Sequence, residues 1–276
     1  MQTDVQMPKK LENNTPISSK ILNISSQIWF VVAFIGQMIF AYYIISLYGK
    51  SGVHGNFEKW NAQTPHGYQV NDMLGNIIFG FHVALAAIIT IGGPLQIIPQ
   101  IRAKAPTFHR INGRVYVFSA FIISFAGLYL SWIRGSVGGL IGSIFISINA
   151  LIIMVCAYNT IRFALTRKIN IHQKWALMLF LGMSGVWFFR VFMMLWLVIH
   201  QAPVGFDPET FQGPFLNFLY VMVYVMPQVF VELYFQAKES ENKNFKFGMS
   251  VFLFIVTLGM AVGIFAATMG MWLPKL

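Results

Sequence analysis

Seven stretches of this chain are long and apolar enough to be membrane crossings, and they fix most of what it can fold into. They lie near 28–48, 74–99, 115–133, 140–163, 175–199, 215–236 and 248–272. A helix rises 1.5 Å per residue, so about 20 apolar residues cross the roughly 30 Å of hydrocarbon in a bilayer. Backbone in lipid must satisfy its own polar groups, which makes these segments helices. The expected fold class is therefore all-α, an integral membrane bundle of seven transmembrane helices. One domain, residues 28–276, follows a polar tail at 1–27. Only 10% of the residues are charged, against about 25% in a soluble domain. The net charge of +10 would point to nucleic acid in a soluble protein. Here it sits in short loops, so the expected partner is the lipid bilayer and not nucleic acid. The one cysteine, Cys156, lies in an apolar segment, which excludes a disulfide framework or a cysteine metal site. No cleavable signal pattern precedes the first apolar run.

Lysine and arginine orient the bundle. Lys9, Lys10, Lys20, Arg102, Lys104, Arg110, Arg114, Arg162, Arg167, Lys168, Lys174, Lys238, Lys243 and Lys246 fall on one side. Lys50, Lys59, Arg134 and Lys275 fall on the other. The excess predicts a cytoplasmic N-terminus and an outside C-terminus. Arg102 to Arg114 read as a short basic turn between two crossings. The longest outer loop, 49–73, holds His54 and His66 and reads as solvated, with folding over the outer mouth as the alternative. Gly92-Gly93-Pro94 predicts a bend, because Pro94 cannot donate to the Thr90 carbonyl. Gly182 with Gly185, and Gly259, Gly263 and Ala267, are spaced for close helix approach.

Polar residues within the apolar segments are costly and carry what functional information there is. Arg190, in Trp187-Phe188-Phe189-Arg190, should face the bundle interior or a water-filled cavity. His82 lies at comparable depth, which allows a His82–Arg190 neighbourhood. Glu232, one turn inside the cytoplasmic end, has Arg114, Lys174 or Arg110 as candidate ion-pair partners. His109 and His172 each open a segment from the cytoplasmic side, beside a helix N-terminus that favours neutral imidazole. His82 and His200, with His66 as a further candidate, form a looser outer group. Two histidine pairs, one near each face, are what a transmembrane electron carrier with two b-type haems needs. The alternative is that these histidines are interfacial. No phosphate-binding loop, zinc-protease motif or nucleophile elbow occurs, and no catalytic set is defined.

His82, Gly93-Pro94-Leu95-Gln96, His109-Arg110-x-x-Gly113-Arg114-Val115-Tyr116, Gly127-Leu128, His172-x-x-Trp175, Arg190 and Glu232 together give a resemblance. Over most of 75–236 the chain resembles the membrane-protein family DUF2306, which implies an integral membrane protein and no established activity. That family often has Phe-Trp-type residues after Gly-Pro-Leu-Gln, where Ile97-Ile98-Pro99 stands here. His109-x-x-x-Gly113-Arg114 followed by Gly127-Leu128 is also distantly similar to a helix of di-haem b-type cytochromes. That similarity implies haem ligation by His109 alone.

The leading expectation is a haem b-binding protein for transmembrane electron transfer, working with a redox partner. His109 and His172 would be the inner ligands of the haem iron, and His82 and His200 the outer ones. Arg102, Arg110 and Arg114 would meet the propionates. One alternative is a small-molecule or lipid permease with a His82/Arg190 cavity. The other is a non-catalytic assembly subunit, joined to a membrane partner through the small-residue face of the seventh segment.

Overall fold

The computed structural model describes residues 16–64 and 66–276; Lys9 and Lys10 lie outside them. The described residues form nine helices and no sheet. These are α1 (Ile17–Val53), α2 (Met73–Ile97), α3 (Pro99–Lys104), α4 (Pro106–Arg134), α5 (Gly139–Leu165), α6 (Ile169–Met183), α7 (Gly185–His200), α8 (Pro214–Glu239) and α9 (Lys243–Lys275). Helices α1, α2, α4, α5, α8 and α9 are each long and apolar enough to cross a membrane. Among the described residues the candidate for a seventh crossing is the pair α6 and α7, bent by 56°.

That bend corrects the continuous helix expected over 175–199. Ser184 interrupts it, flanked by Gly182 and Gly185. The Ser184 hydroxyl donates back to the Phe180 carbonyl at 2.7 Å, a local bond that competes with regular helix. The two glycines remove the bulk that would resist the turn. Two other boundaries move. Helix α1 begins at Ile17, so the second half of the expected tail is helical, and Leu22 is buried beside Ala237 and Met249. The expected basic turn is helical as well. Pro99 opens α3 and Pro106 opens α4, the first-turn position where proline loses no hydrogen bond. Pro94 does not end α2, which continues to Ile97. Asn112 Nδ2 donates to the Gly92 carbonyl at 2.9 Å beside it.

The helices pack as a closed ring. Helix α1 lies on α9 and α2, α2 on α4, α4 on α5, and α5 on α6; α8 joins α6, and α9 packs on α7. Phe81, Phe118, Phe125, Phe218 and Phe265 are each at least 60% exposed. So much exposed aromatic surface suits hydrocarbon and not water. The two ends of the ring differ. One, here the basic end, carries α3 and the first turns of α4 and α6. The other is the capped end.

Candidate functional site

The bundle is most irregular near the capped end. Four π-turns interrupt the long helices there: Ile45–Gly49 in α1, Leu130–Arg134 in α4, Val221–Val225 in α8 and Thr268–Trp272 in α9. A π-turn inserts a residue, swings the following side chains to a new face, and often marks a functional site. These four deliver Tyr48, Arg134, Tyr224 and Trp272 into the interior, all buried.

Residues 54–64 and 66–72 fold over this end as a cap, so the loop takes the alternative of folding over the end. Trp60 Nε1 donates to the Tyr48 carbonyl at 3.2 Å, and Gln63 Nε2 to the Met271 carbonyl at 3.0 Å. Both acceptors lie in π-turns. The Tyr48 and Thr64 hydroxyls are 3.1 Å apart. Arg134 clamps the cap from below. Its Nε donates to Asp72 Oδ2 (2.9 Å), Nη1 to the carbonyls of His66 (3.1 Å) and Gly67 (2.9 Å), and Nη2 to Asn76 Oδ1 (2.7 Å). The Gly75 backbone N–H and the Arg134 guanidinium hold the Asp72 carboxyl below the usual carboxylate range.

Below the cap lies Arg190, on α7 just beyond the break. Its guanidinium carbon is 5.4 Å from the centroid of the Phe40 ring, within cation–π range. Tyr43 and Tyr224 are close enough to interact with its charge. Among the described residues Arg190 has no carboxylate in ion-pair range and no hydrogen-bond acceptor. Trp272 packs on Phe40 and Tyr43, with ring centroids 5.2 and 6.1 Å apart. The indole nitrogens of Trp187 and Trp272 are buried without partners. The surroundings of Arg190 are thus aromatic and supply donors, with no carboxylate among the described residues.

Side chains from neighbouring helices stabilise the break. Gln37 Nε2 donates to Ser184 Oγ at 2.8 Å, Asn149 Nδ2 to the Gly182 carbonyl at 3.2 Å, and Gln228 Nε2 to the Met178 carbonyl at 3.3 Å. Irregular backbone at membrane depth is tolerated where protein groups satisfy it in this way. Gln37, Asn149, Gln228, Ser184 and Arg134 were missed as site residues. The available signal was a lone amide or hydroxyl within an apolar segment.

The histidines separate into two cases. His109 and His172 both lie at the basic end, in the first turns of α4 and α6. His172 Nδ1 lies 2.9 Å from the Thr160 carbonyl. His82 and His200 meet different surroundings. His82 faces the Ile123 carbonyl and Gly127 on α4, whereas His200 stacks on Trp196, with centroids 3.8 Å apart. Arg110 and Arg114 are exposed at the basic end. Glu232 pairs with Lys174, one of its three candidate partners. His66 is on the cap, where its carbonyl binds Arg134. Among the described residues no group of three or more His, Cys, Asp or Glu could hold a metal ion.

These features define a multi-pass helical membrane protein with a polar break and, beside it, an arginine that has no carboxylate partner among the described residues. Residues 79–210 match the family model described as "Predicted membrane protein (DUF2306)". The match spans the histidine and arginine motifs from His82 to Arg190, within the range over which the sequence shows its resemblance. No curated protein and no solved structure matches the chain.

Proposed function

We propose that the chain is a membrane-embedded binding protein for an acidic amphiphile, whose anionic group is taken by Arg190 and whose apolar body lies against the aromatic walls. The observation that carries this reading is Arg190 itself, held among Phe40, Tyr43 and Tyr224 with no protein anion among the described residues. An arginine at this depth is costly and calls for a partner. The two free indole N–H groups supply further donors. A groove of about 700 Å³ between the cap and α2, lined by Phe57, Trp60, Tyr68, Met73, Ile77 and Phe81, offers an apolar surface for the body of such a ligand. From its Trp60 an aromatic series runs through Phe79, Tyr48 and Tyr43 toward Phe40. On this reading the basic end faces the cytoplasm, by the excess of lysine and arginine there, and Arg190 is reached from the opposite leaflet.

The test is equilibrium binding of radiolabelled oleate and of its methyl ester to the purified full chain in nanodiscs. Preference for the acid is expected, and Arg190→Gln should weaken oleate binding about tenfold or more, the equivalent of one lost charge-assisted bond. Equal binding of acid and ester, or full affinity in a folded Arg190→Gln variant, would sink the reading.

A further inference from the structure

We propose that the cap is a ligand-coupled closure in which Gln63 and Trp60 position the aromatic walls of the Arg190 site, a coupling that rests on the reading of that site as one for a carboxylate. Each cap contact ends on a π-turn that also carries a wall residue. Gln63 Nε2 donates to the Met271 carbonyl at 3.0 Å, and the next residue in that turn is Trp272. The Trp272 ring packs at 5.2 Å on Phe40, the ring that lies 5.4 Å from the Arg190 guanidinium. On the other side, Trp60 Nε1 donates to the Tyr48 carbonyl at 3.2 Å, and the Thr64 and Tyr48 hydroxyls meet at 3.1 Å. The Tyr48 ring stands edge-on to Tyr43 at 6.3 Å, and Tyr43 stacks on both Phe40 and Trp272. Two short routes of packed rings thus join the cap to the ring under the arginine.

Trp60 anchors the cap. Its ring sits between Gly52 of α1 and Gly80 of α2, where an added Cβ would come within 3.3 and 3.1 Å of it. A π-turn is less regular than the helix around it, so the partners of its carbonyls help to fix where its side chains point. When the cap lifts, Met271 and Tyr48 lose these donors, and the Trp272 and Tyr48 rings lose the contacts that hold them against Phe40 and Tyr43. An anion taken by Arg190 and by the buried, unpaired Trp272 Nε1 favours the same ring positions. Site occupancy and cap closure then favour each other by one factor, equal in both directions.

The experiment is trypsin cleavage after Lys59, read by mass spectrometry beside oleate binding, on the full chain in polymer-bounded nanodiscs. Lys59 lies in the 3₁₀ turn Phe57–Ala62 next to buried Trp60, so cleavage there follows the population of open cap when closing is fast. Saturating oleate should slow it about threefold to tenfold, the size of one hydrogen bond, and methyl oleate should leave it unchanged. In Arg190→Gln the rate should be the same with and without oleate. Gln63→Leu and Trp60→Phe each remove one donor, and each should weaken oleate binding by about the same threefold to tenfold. A purely structural cap would be cut faster in these variants while oleate affinity stayed at the wild-type value. Arg190-dependent oleate binding that leaves wild-type cleavage unchanged overturns the coupling alone, as does full affinity in both folded variants. Should both variants fail to fold, the effect of oleate on the wild type decides. Loss of any Arg190 dependence in oleate binding overturns the carboxylate reading and the coupling with it.

Discussion

Arg134 Nη2 lies 2.8 Å from Asp72 Oδ2, and through this ion pair the end of α4 holds the cap down on the bundle. Arg134 is almost fully buried and also binds the backbone carbonyls of His66, Gly67 and Asp72. Its removal therefore strands acceptors rather than merely deleting a surface contact. Arg134→Met should cost about 1–3 kcal/mol for each buried carbonyl left unpaired, as for other buried acceptors. Thermal unfolding in detergent would show it as a lowered midpoint. An unchanged midpoint would mean that the cap is not held by this residue.

The same pair makes the cap sensitive to acid. The Gly75 N–H and Arg134 depress the Asp72 carboxyl, so folding favours its ionised form. A depressed folded-state value gives stability that is fully present above the ordinary aspartate range, near pH 4. That stability is lost as pH falls through the lower folded-state value. Limited proteolysis of residues 54–72 should accelerate below about pH 4 in the wild type. Asp72→Asn should be cleaved faster at neutral pH and show no further acid step. An acid step that persists in Asp72→Asn would assign it to another group.

The Lys174–Glu232 pair at the basic end is a contrasting case. Its side chains remain 29% and 42% exposed, where solvent screens the attraction and holding two long side chains costs entropy. Glu232→Gln should shift stability by no more than about 1 kcal/mol. A change several times larger would indicate a role beyond ion pairing.

How far the molecule was legible in its sequence differs between its parts. Crossing segments were legible because about 20 apolar residues in a row have few other fates. Arg190, Glu232 and the basic-end histidines stood out because charge and imidazole are rare in such segments. The break at Ser184 was not legible, since Gly182 and Gly185 serve close packing equally well and hydropathy does not register a bend. The π-turns at Tyr48, Arg134, Tyr224 and Trp272 change no composition at all; they alter which face a residue presents. Arg134 consequently read as one more loop cation, and its burial under the cap depends on contacts with residues 66–76. His82 and Arg190 matched in depth, but depth does not specify which neighbour a helix face meets.

Gly263 on α9 tests whether the small-residue face packs the bundle or serves an outside partner. A Cβ there would fall within 2.8 Å of Val191 Cγ1 and crowd the Val191 backbone carbonyl on α7. Backbone cannot yield as a flexible side-chain end can, so the helices must separate. Gly263→Val should destabilise by about 1–3 kcal/mol, the usual cost of overpacking. Because α7 carries Arg190, the shift should also weaken oleate binding. Gly248 has open space around it, and Gly248→Ala should leave both stability and binding as they are. The two measurements are a thermal midpoint and an oleate isotherm on each variant. If Gly263→Val keeps the wild-type midpoint and instead sheds a copurifying subunit, the glycine face is an external interface rather than an internal seam.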